Sequence, residues 1–298
     1  MHIPDSMLQG AVCPASAGLG LLGMAVAAAV AIKSDEKPDP VRFAGVATLI
    51  FAAQMVNYPI IGGVSGHLLG AVLAAILLGP AFAVLAMGLV LAVQALLFAD
   101  GGLLALGANL LNMALPAVAI GAPLHALLKR TTRPALQQAL LVVVGGWLAT
   151  MMAALTASIQ VAAGGSVSFL EVSGVLLGHH AWIGLGEGLM SAVLYLALAR
   201  QPEGSPHRER SLALAAVALL LAPWAASVPD ALEATSVRFG LPFTNSLHFA
   251  PLADYAVPAL SQGQLSTLVA GASGALLTFA LARIMASPLQ RPIASGRR

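Results

Sequence analysis

The sequence has 298 residues, of which 59% are hydrophobic and only 9% are charged. Soluble domains carry about 25% charged residues, so this composition excludes a soluble globular protein. The 30 glycines stand among long Ala, Leu and Val stretches, and we expect a polytopic helical membrane protein whose solvent is the lipid bilayer. The formal net charge of +2 comes with basic residues confined to short connectors, which argues against nucleic acid as a partner.

The first two residues form a possible metal chelate. The start, MHIPDSMLQG, lacks the basic segment of a signal peptide, and His2 is bulky, so we expect Met1 to remain with a free amine. That amine, the amide nitrogen of His2 and its Nδ1 atom can close a five-membered and a six-membered ring on one metal. A fourth nitrogen would complete a square plane, which suits Ni(II) or Cu(II). The alternative is an incidental histidine at an untrimmed terminus.

Apolar stretches predict nine membrane spans, since a bilayer core of about 30 Å needs roughly 20 apolar residues per helix. They cover residues 10–32, 43–57, 66–80, 81–98, 103–127, 135–163, 174–199, 211–226 and 264–286. The third and fourth are short and are separated by Gly79 and Pro80, so one of them could be re-entrant. The predicted fold is an all-α polytopic membrane protein with about seven helices in a bundle, followed by a C-terminal two-helix hairpin.

A candidate for the fourth nitrogen follows in the stretch NYPIIGGVSGHLLGA. His67 stands at the predicted outside end of a span, directly after Gly62, Gly63, Ser65 and Gly66. Polar groups at membrane depth are costly and usually functional, and a glycine-rich approach brings backbone close to the ring. The alternative is a histidine that is only hydrogen-bonded at the membrane interface. Because His2 and His67 are both predicted outside, they can meet.

Basic residues set the expected orientation, because they are retained on the cytoplasmic side of a membrane. With the N-terminus outside, only Arg238 of the 14 Lys and Arg residues falls on the outer side. We therefore expect a multi-pass protein of the cytoplasmic (inner) membrane, with its N-terminus extracytoplasmic and its C-terminus cytoplasmic. The outer side is acidic and attracts cations.

The polar segment QPEGSPHRERS (201–211) reads as a linker between folded units. We place a boundary there, with a metal-binding membrane domain over residues 1–203 and a two-helix domain over residues 204–298. The hairpin encloses a long extracytoplasmic loop that is rich in Pro, Asn and acidic residues. Truncation after Gln201 is expected to leave nickel affinity nearly intact.

Several further polar side chains could hold the metal ligands in place without binding the metal themselves. His180 and Glu187 are seven residues apart on the seventh span, so they project from one helical face. For Glu187, pairing with a helix neighbour or support of the metal pocket is favoured over direct ligation. The other candidates are amides and a hydroxyl, for which plain helix packing is the alternative: Asn57, Ser65, Gln94, Asn109 and Asn112. Asp100, which is followed by two glycines, is interpreted as a turn residue.

Four stretches resemble a known family. They are MHIPD, GGVSGHLLGA, QALLFADGGLLALGANLLNM (94–113) and HAWIGLGEGLMSA (180–192). Together they are similar to the CbiM/NikM family, the substrate-capture (S) components of energy-coupling factor transporters for nickel and cobalt. The resemblance covers about residues 1–200 and implies Met1, His2 and His67 as metal ligands. MHIPDS departs from the family at Ser6, where glycine is usual.

The region after the linker resembles the N component of these transporters, which occurs separately or fused. Its signatures are VPDALEATSVRFGL (228–241) and APLADYAVPAL (250–260), with Ala231 where glycine is usual. The resemblance thus implies a NikMN-type fusion that captures Ni(II), with cobalt uptake as the alternative. It also implies a coupling transmembrane T component and two cytoplasmic ATPase subunits as partners.

Missing motifs bear on the source of energy. The sequence has no G-x-x-x-x-G-K-[ST] loop and no H-E-x-x-H, so we expect neither ATP hydrolysis nor metalloprotease activity in this chain. We therefore expect that this chain is not an enzyme and that the energy for transport comes from partner subunits. The single cysteine, Cys13, excludes a thiolate cluster. The H-x4-D-H signature of single-chain nickel and cobalt permeases is also missing, which disfavours the alternative of a stand-alone secondary carrier or channel.

Overall fold

A computed structural model describes residues 2–165, 167–199, 207–245, 250–260 and 263–288. They form mainly helices, with one short antiparallel β-hairpin. The helices are α1 (Val12–Lys33), α2 (Pro40–Gln54), α3 (Ala71–Leu78), α4 (Pro80–Val93), α5 (Leu106–Met113), α6 (Leu115–Lys129), α7 (Ala135–Ala163), α8 (Phe169–Ala199), α9 (His207–Leu221), α10 (Ala231–Phe239) and α11 (Gln264–Ala286). The strands are β1 (Tyr58–Ile60) and β2 (Val64–Gly66), and a π-helical turn (Gln94–Phe98) extends α4.

The predicted class of all-α polytopic membrane protein is confirmed. In the described part of the chain, six helical segments are long and apolar enough to cross a bilayer. They are Val12–Lys33, Pro80–Phe98, Leu106–Lys129, Ala135–Ala163, Phe169–Leu198 and Gln264–Ala286. These segments correspond to six of the nine spans that the apolar stretches predict.

The other three predicted spans correspond to shorter helices. Helices α2 and α9 have 15 residues each, or about 22 Å at 1.5 Å per residue. The prediction of one helix over residues 66–80 was wrong in extent, because α3 has only 8 residues. Gly70 and Gly79 flank it with φ angles of +79° and +86°, which glycine adopts without a steric penalty, and Pro80 starts α4.

Helix α3 is the central element of the bundle. All of its residues are buried, and it packs against α2, α4, α6, α7 and α8. Its N-terminal end follows β2 and His67, while at its C-terminal end Nη2 of Arg42 donates a 2.7 Å hydrogen bond to the carbonyl of Leu77. His67 and the basic residue Arg42 therefore lie at opposite ends of α3.

The C-terminal helices pack on α2. Helices α9 and α11 both pack on α2, and α11 also reaches α4. The predicted long loop between them contains α10, which the sequence analysis did not predict; Oδ1 of Asp230 accepts the N–H groups of Leu232 and Glu233 at its start. The proposed boundary at residue 203 lies outside the described residues, so the division into two domains stays a prediction.

Candidate metal centre

The N-terminal segment is threaded into the bundle beside α5. Ile3 is fully buried, and its backbone is clamped by the side chain of Asn109, which accepts from the Ile3 N–H at 2.7 Å and donates to the Ile3 carbonyl at 3.0 Å. The N–H of Gly102 donates to the same carbonyl at 2.9 Å. Two residues later, Oδ1 of Asp5 accepts the N–H groups of Leu104 and Ala105 just before α5 begins. These bonds fix the backbone on the C-terminal side of His2.

The His2 ring is buried and has a partner at each nitrogen. Its Nε2 lies 3.2 Å from Oε1 of Gln94, and its Nδ1 lies 3.0 Å from Oδ1 of Asp100. A carbonyl and a carboxylate are both acceptors, so either ring nitrogen can donate to its partner. A metal that binds Nδ1 must take the place of the Asp100 contact.

Asp100 forms the turn that the sequence predicts and, in addition, contacts the His2 ring. The turn does exist, with φ angles of +54° at Ala99 and +86° at Gly101. Burial by itself would raise the pKa of Asp100, but the charge of His2 and the hydrogen bonds from His2 and Tyr255 outweigh it and hold that pKa below its usual range. Gly101 is required here because a Cβ would lie 2.9 Å from Nδ2 of Asn109 and 3.3 Å from Cβ of His2. The turn therefore places a carboxylate against Nδ1 of His2, the nitrogen that the sequence analysis predicts as a ligand.

His67 follows β2 directly and is 7% exposed. Its Nδ1 lies 3.0 Å from the carbonyl of Leu68, which can only accept, so Nδ1 carries the hydrogen and Nε2 is the nitrogen that can bind a metal. Glu187, which is fully buried on α8, accepts the N–H groups of Leu69 at 2.5 Å and Gly70 at 3.1 Å. Glu187 thus anchors the backbone between His67 and α3.

The structure brings the two predicted histidine ligands together. The ring centroids of His2 and His67 are 5.2 Å apart and the ring planes differ by 17°. Met1, the third predicted ligand, lies outside the described residues. Among the residues that are described, three or more His, Cys, Asp or Glu side chains do not come together as a metal site. Chelation would therefore depend on the two imidazoles together with the backbone nitrogen atoms of the terminus.

The other predicted supporting residues occupy different places around the two rings. Asn109 clamps Ile3 and Glu187 anchors the His67 backbone, as described above. His180 is 1% exposed and donates from Nδ1 to the carbonyl of Leu176 at 2.7 Å; it lines one small cavity together with Ser65, His67 and Asp230. The described contact of Asn57 is through its carbonyl, which accepts the N–H of Ala226 at 2.9 Å, so it supports the C-terminal segment and not a histidine.

Residues 226–245 and 250–255 lie over both sides of the site. On the His67 side, the hydroxyl of Ser65 donates to the carbonyls of Val228 and Pro229 at 2.9 and 3.3 Å. On the His2 side, Oδ1 of Asn245 accepts the N–H of Asp5 at 3.1 Å and its Nδ2 donates to the carbonyl of Ala99. We call this stretch the cover segment.

Comparison with known proteins places the chain among metal transporters. Residues 2–203 match the family model described as "Cobalt uptake substrate-specific transmembrane region" (CbiM). A putative fused nickel transport protein NikMN of Archaeoglobus fulgidus is 37% identical, covering 94% of this chain and 96% of that protein. The cobalt transport protein CbiM of Salmonella typhimurium is 28% identical, covering 57% of this chain and 71% of that protein.

Two solved structures are similar as well. A transition metal transporter aligns with a TM-score of 0.59 and 30% identity, covering 72% of this chain and 99% of that one. A truncated transition metal transporter aligns with a TM-score of 0.57 and 32% identity, covering 66% of this chain and 98% of that one. The expectation from the sequence motifs is therefore confirmed at the level of the family and of nickel or cobalt transport.

Proposed function

This chain belongs to the CbiM family of cobalt uptake substrate-specific transmembrane regions, and we propose that it captures Ni(II) at a square-planar site of four nitrogen atoms. It is a membrane component for nickel or cobalt transport. The proposed ligands are the amine of Met1, the amide nitrogen and Nδ1 of His2, and Nε2 of His67. The metal is the transported substrate and not a resident cofactor.

The observation that carries this proposal is the pairing of the His2 and His67 rings. The two residues are remote in sequence, yet their centroids lie 5.2 Å apart in the interior of the bundle. The contact of His67 Nδ1 with the carbonyl of Leu68 leaves Nε2 as the metal-binding atom of that ring, whereas Nδ1 of His2 would exchange its contact with Asp100 for the metal. Nδ1 is also the atom that closes a six-membered ring with the amide nitrogen of the same residue.

Nickel is favoured over cobalt as the substrate. A planar field of strong nitrogen donors, one of them a deprotonated amide, suits a d8 ion such as Ni(II), whereas Zn(II) prefers a tetrahedron. A relative that matches along nearly the whole chain carries the name of a fused nickel transport protein. Cobalt, which is the metal in the family description, is the second candidate.

The proposed orientation puts the site on the extracytoplasmic side. The basic residues Lys37, Arg42 and Lys129 line one cavity beside the C-terminal end of α3, away from His67. Because basic residues remain on the cytoplasmic side, this arrangement supports an outside site in the inner membrane. Energy for inward delivery would come from a coupling transmembrane component and two cytoplasmic ATPase subunits.

We assign the cover segment a role in loading or releasing the metal. It holds the N-terminal segment through Asn245 and the His67 hairpin through Ser65, so opening it would expose both ligands. A structural brace that only stabilises the complex is the alternative.

A test of the proposed function uses the free amine, since an extension turns the amine of Met1 into an amide that ligates poorly. A tag before Met1, or one alanine inserted between Met1 and His2, is expected to abolish nickel uptake in cells that supply the partner subunits. A C-terminal tag serves as the matched control and is expected to preserve uptake. Equal uptake by both tagged forms would contradict the proposal and would favour a secondary carrier or channel with its site elsewhere.

A further inference from the structure

A chain of buried amide side chains leads from the backbone of the His67 loop to the His2 ring. Nε2 of Gln54 donates to the carbonyl of Leu69 at 2.8 Å, and Nε2 of Gln94 donates to Oε1 of Gln54 at 2.8 Å. Oε1 of Gln94 then faces Nε2 of His2 at 3.2 Å. Gln54 is 4% exposed and Gln94 is fully buried, so water does not compete for these bonds.

The direction of this chain is fixed at the Leu69 end. A backbone carbonyl can only accept, so the NH2 group of Gln54 must face Leu69 and its oxygen must face Gln94. The same reasoning turns the NH2 group of Gln94 towards Gln54 and its oxygen towards His2. Glu187 holds the Leu69 N–H at 2.5 Å, which makes this peptide a rigid anchor.

We infer that Gln54 and Gln94 are positioning residues that hold a hydrogen on Nε2 of His2 and thereby present Nδ1 to the metal. Histidines that bind metals usually donate their other N–H to an acceptor, which fixes the tautomer and the ring orientation. Here the acceptor, Oε1 of Gln94, is itself oriented by Gln54. Leu69, at the other end of this series of hydrogen bonds, lies two residues after His67. The inference rests on the proposed function, because it assumes that Nδ1 of His2 is a ligand.

The alternative is a purely structural role, in which the two glutamines only connect α2 to the π-helical turn that extends α4. The chain contains a matched pair of that kind: Nδ2 of Asn112 donates to Oε1 of Gln160 at 2.8 Å, which joins α5 to α7. Asn112 is fully buried and Gln160 is 6% exposed, and their described hydrogen bonds do not involve His2 or His67. Gln160→Leu therefore removes a comparable buried amide without changing the hydrogen bonds that run from Leu69 through Gln54 and Gln94 to His2. We call that series the relay.

The experiment measures nickel affinity of the full-length protein by competition with a chelator, with thermal unfolding recorded for each variant. Gln94→Leu removes the acceptor of His2, and Gln54→Leu removes the group that orients it; both are expected to weaken binding about 10- to 100-fold, as for other residues behind metal-bound histidines. Gln160→Leu is expected to stay within about threefold of the wild type.

A spectroscopic measurement separates the tautomer from simple loss of stability. Square-planar Ni(II) is diamagnetic, so the loaded protein with ¹⁵N-labelled histidine can be studied by NMR. For the His2 ring we expect a slowly exchanging hydrogen on Nε2 in the wild type and in Gln160→Leu. In Gln94→Leu and Gln54→Leu that hydrogen should exchange faster with water.

The outcomes distinguish the relay from the proposed function. Unchanged nickel affinity in both Gln94→Leu and Gln54→Leu, together with loss of binding in His67→Ala, would overturn the relay alone. An equal loss in Gln160→Leu would also overturn it, because the effect would then be structural. Unchanged binding in His67→Ala would overturn the proposed function and the relay together.

Discussion

The hydroxyl of Tyr255 donates a 2.7 Å hydrogen bond to Oδ2 of Asp100, the carboxylate whose other oxygen lies against Nδ1 of His2. The cover segment is thereby connected to Nδ1 of His2, a proposed metal ligand, through one acidic side chain. Nearby, the N–H of Leu252 donates to the carbonyl of Leu97 at 2.9 Å. The state of the His2 ring and the closure of the cover segment are thus physically linked.

Tyr255→Phe tests this link. The variant loses one hydrogen bond to a charged group, worth about 1.5–3 kcal/mol, so the cover segment should open more often. Amide exchange of Leu252 is expected to be at least about tenfold faster, measured by hydrogen–deuterium exchange of metal-free protein. Tyr58→Phe is the control, because the Tyr58 hydroxyl bonds the carbonyl of Ile183 instead. Unchanged exchange at Leu252 in Tyr255→Phe would show that the bond does not hold the cover segment.

Gly102→Ala should disturb the N-terminal segment. A Cβ on Gly102 would collide with the carboxylate and the backbone nitrogen of Asp5, so the segment that carries His2 has to shift. We expect nickel affinity to fall at least about tenfold in equilibrium binding. Gly174→Ala is the control, since a Cβ there would meet open space. Equal affinities for the two variants would argue against a fixed path of the N-terminal segment.

Asn109→Leu should weaken metal binding through the backbone next to His2. The variant removes both hydrogen bonds between Asn109 and Ile3 and leaves the buried Ile3 N–H without a partner, at about 1–3 kcal/mol, while the Ile3 carbonyl keeps the N–H of Gly102. Equilibrium titration is expected to show an affinity lower by about 10- to 100-fold. Asn112→Leu, one turn further along α5 and bonded to Gln160, should bind like the wild type. A loss of the same size in Asn112→Leu would mean that packing of α5, and not the clamp on Ile3, is responsible.

Truncation after Gln201 should separate binding from transport. The proposed ligands all precede the cut, so the equilibrium nickel affinity of the truncated protein is expected to lie near that of the full chain. Uptake by cells that supply the partner subunits should fall strongly, because the cover segment is gone. A truncated protein that binds no nickel would place essential ligands or an essential clamp in the C-terminal part.

The sequence was sufficient to propose the two histidines, which the structure brings together, but not the groups that hold them. His2 is identified by its place in the chain and His67 by its glycine-rich surroundings, both of which are local features. Asp100 was assigned only its turn, because its contact with His2 joins residues 98 positions apart. Gln54 was missed since a single amide in an apolar helix resembles a packing residue, and its role depends on contacts with Leu69 and Gln94.

Local apolar patterns also set the limits of the fold prediction. The long spans were found because each is a continuous apolar stretch. The segment 66–80 is equally apolar, yet the positive φ angle at Gly70 confines the helix to Ala71–Leu78. Helix α10 was missed because its sequence, ALEATSVRF, is short and mixed in polarity, and it depends on the Asp230 cap and on packing against β2 and α8.

X-ray absorption spectroscopy of the nickel-loaded, full-length protein tests the central claim most directly. The wild type is expected to show a square-planar edge spectrum and four nitrogen ligands. His67→Ala, if any metal is retained, should show one imidazole fewer and the loss of the planar four-nitrogen shell. A six-coordinate site with oxygen ligands in the wild type, or an unchanged spectrum in His67→Ala, would contradict the account.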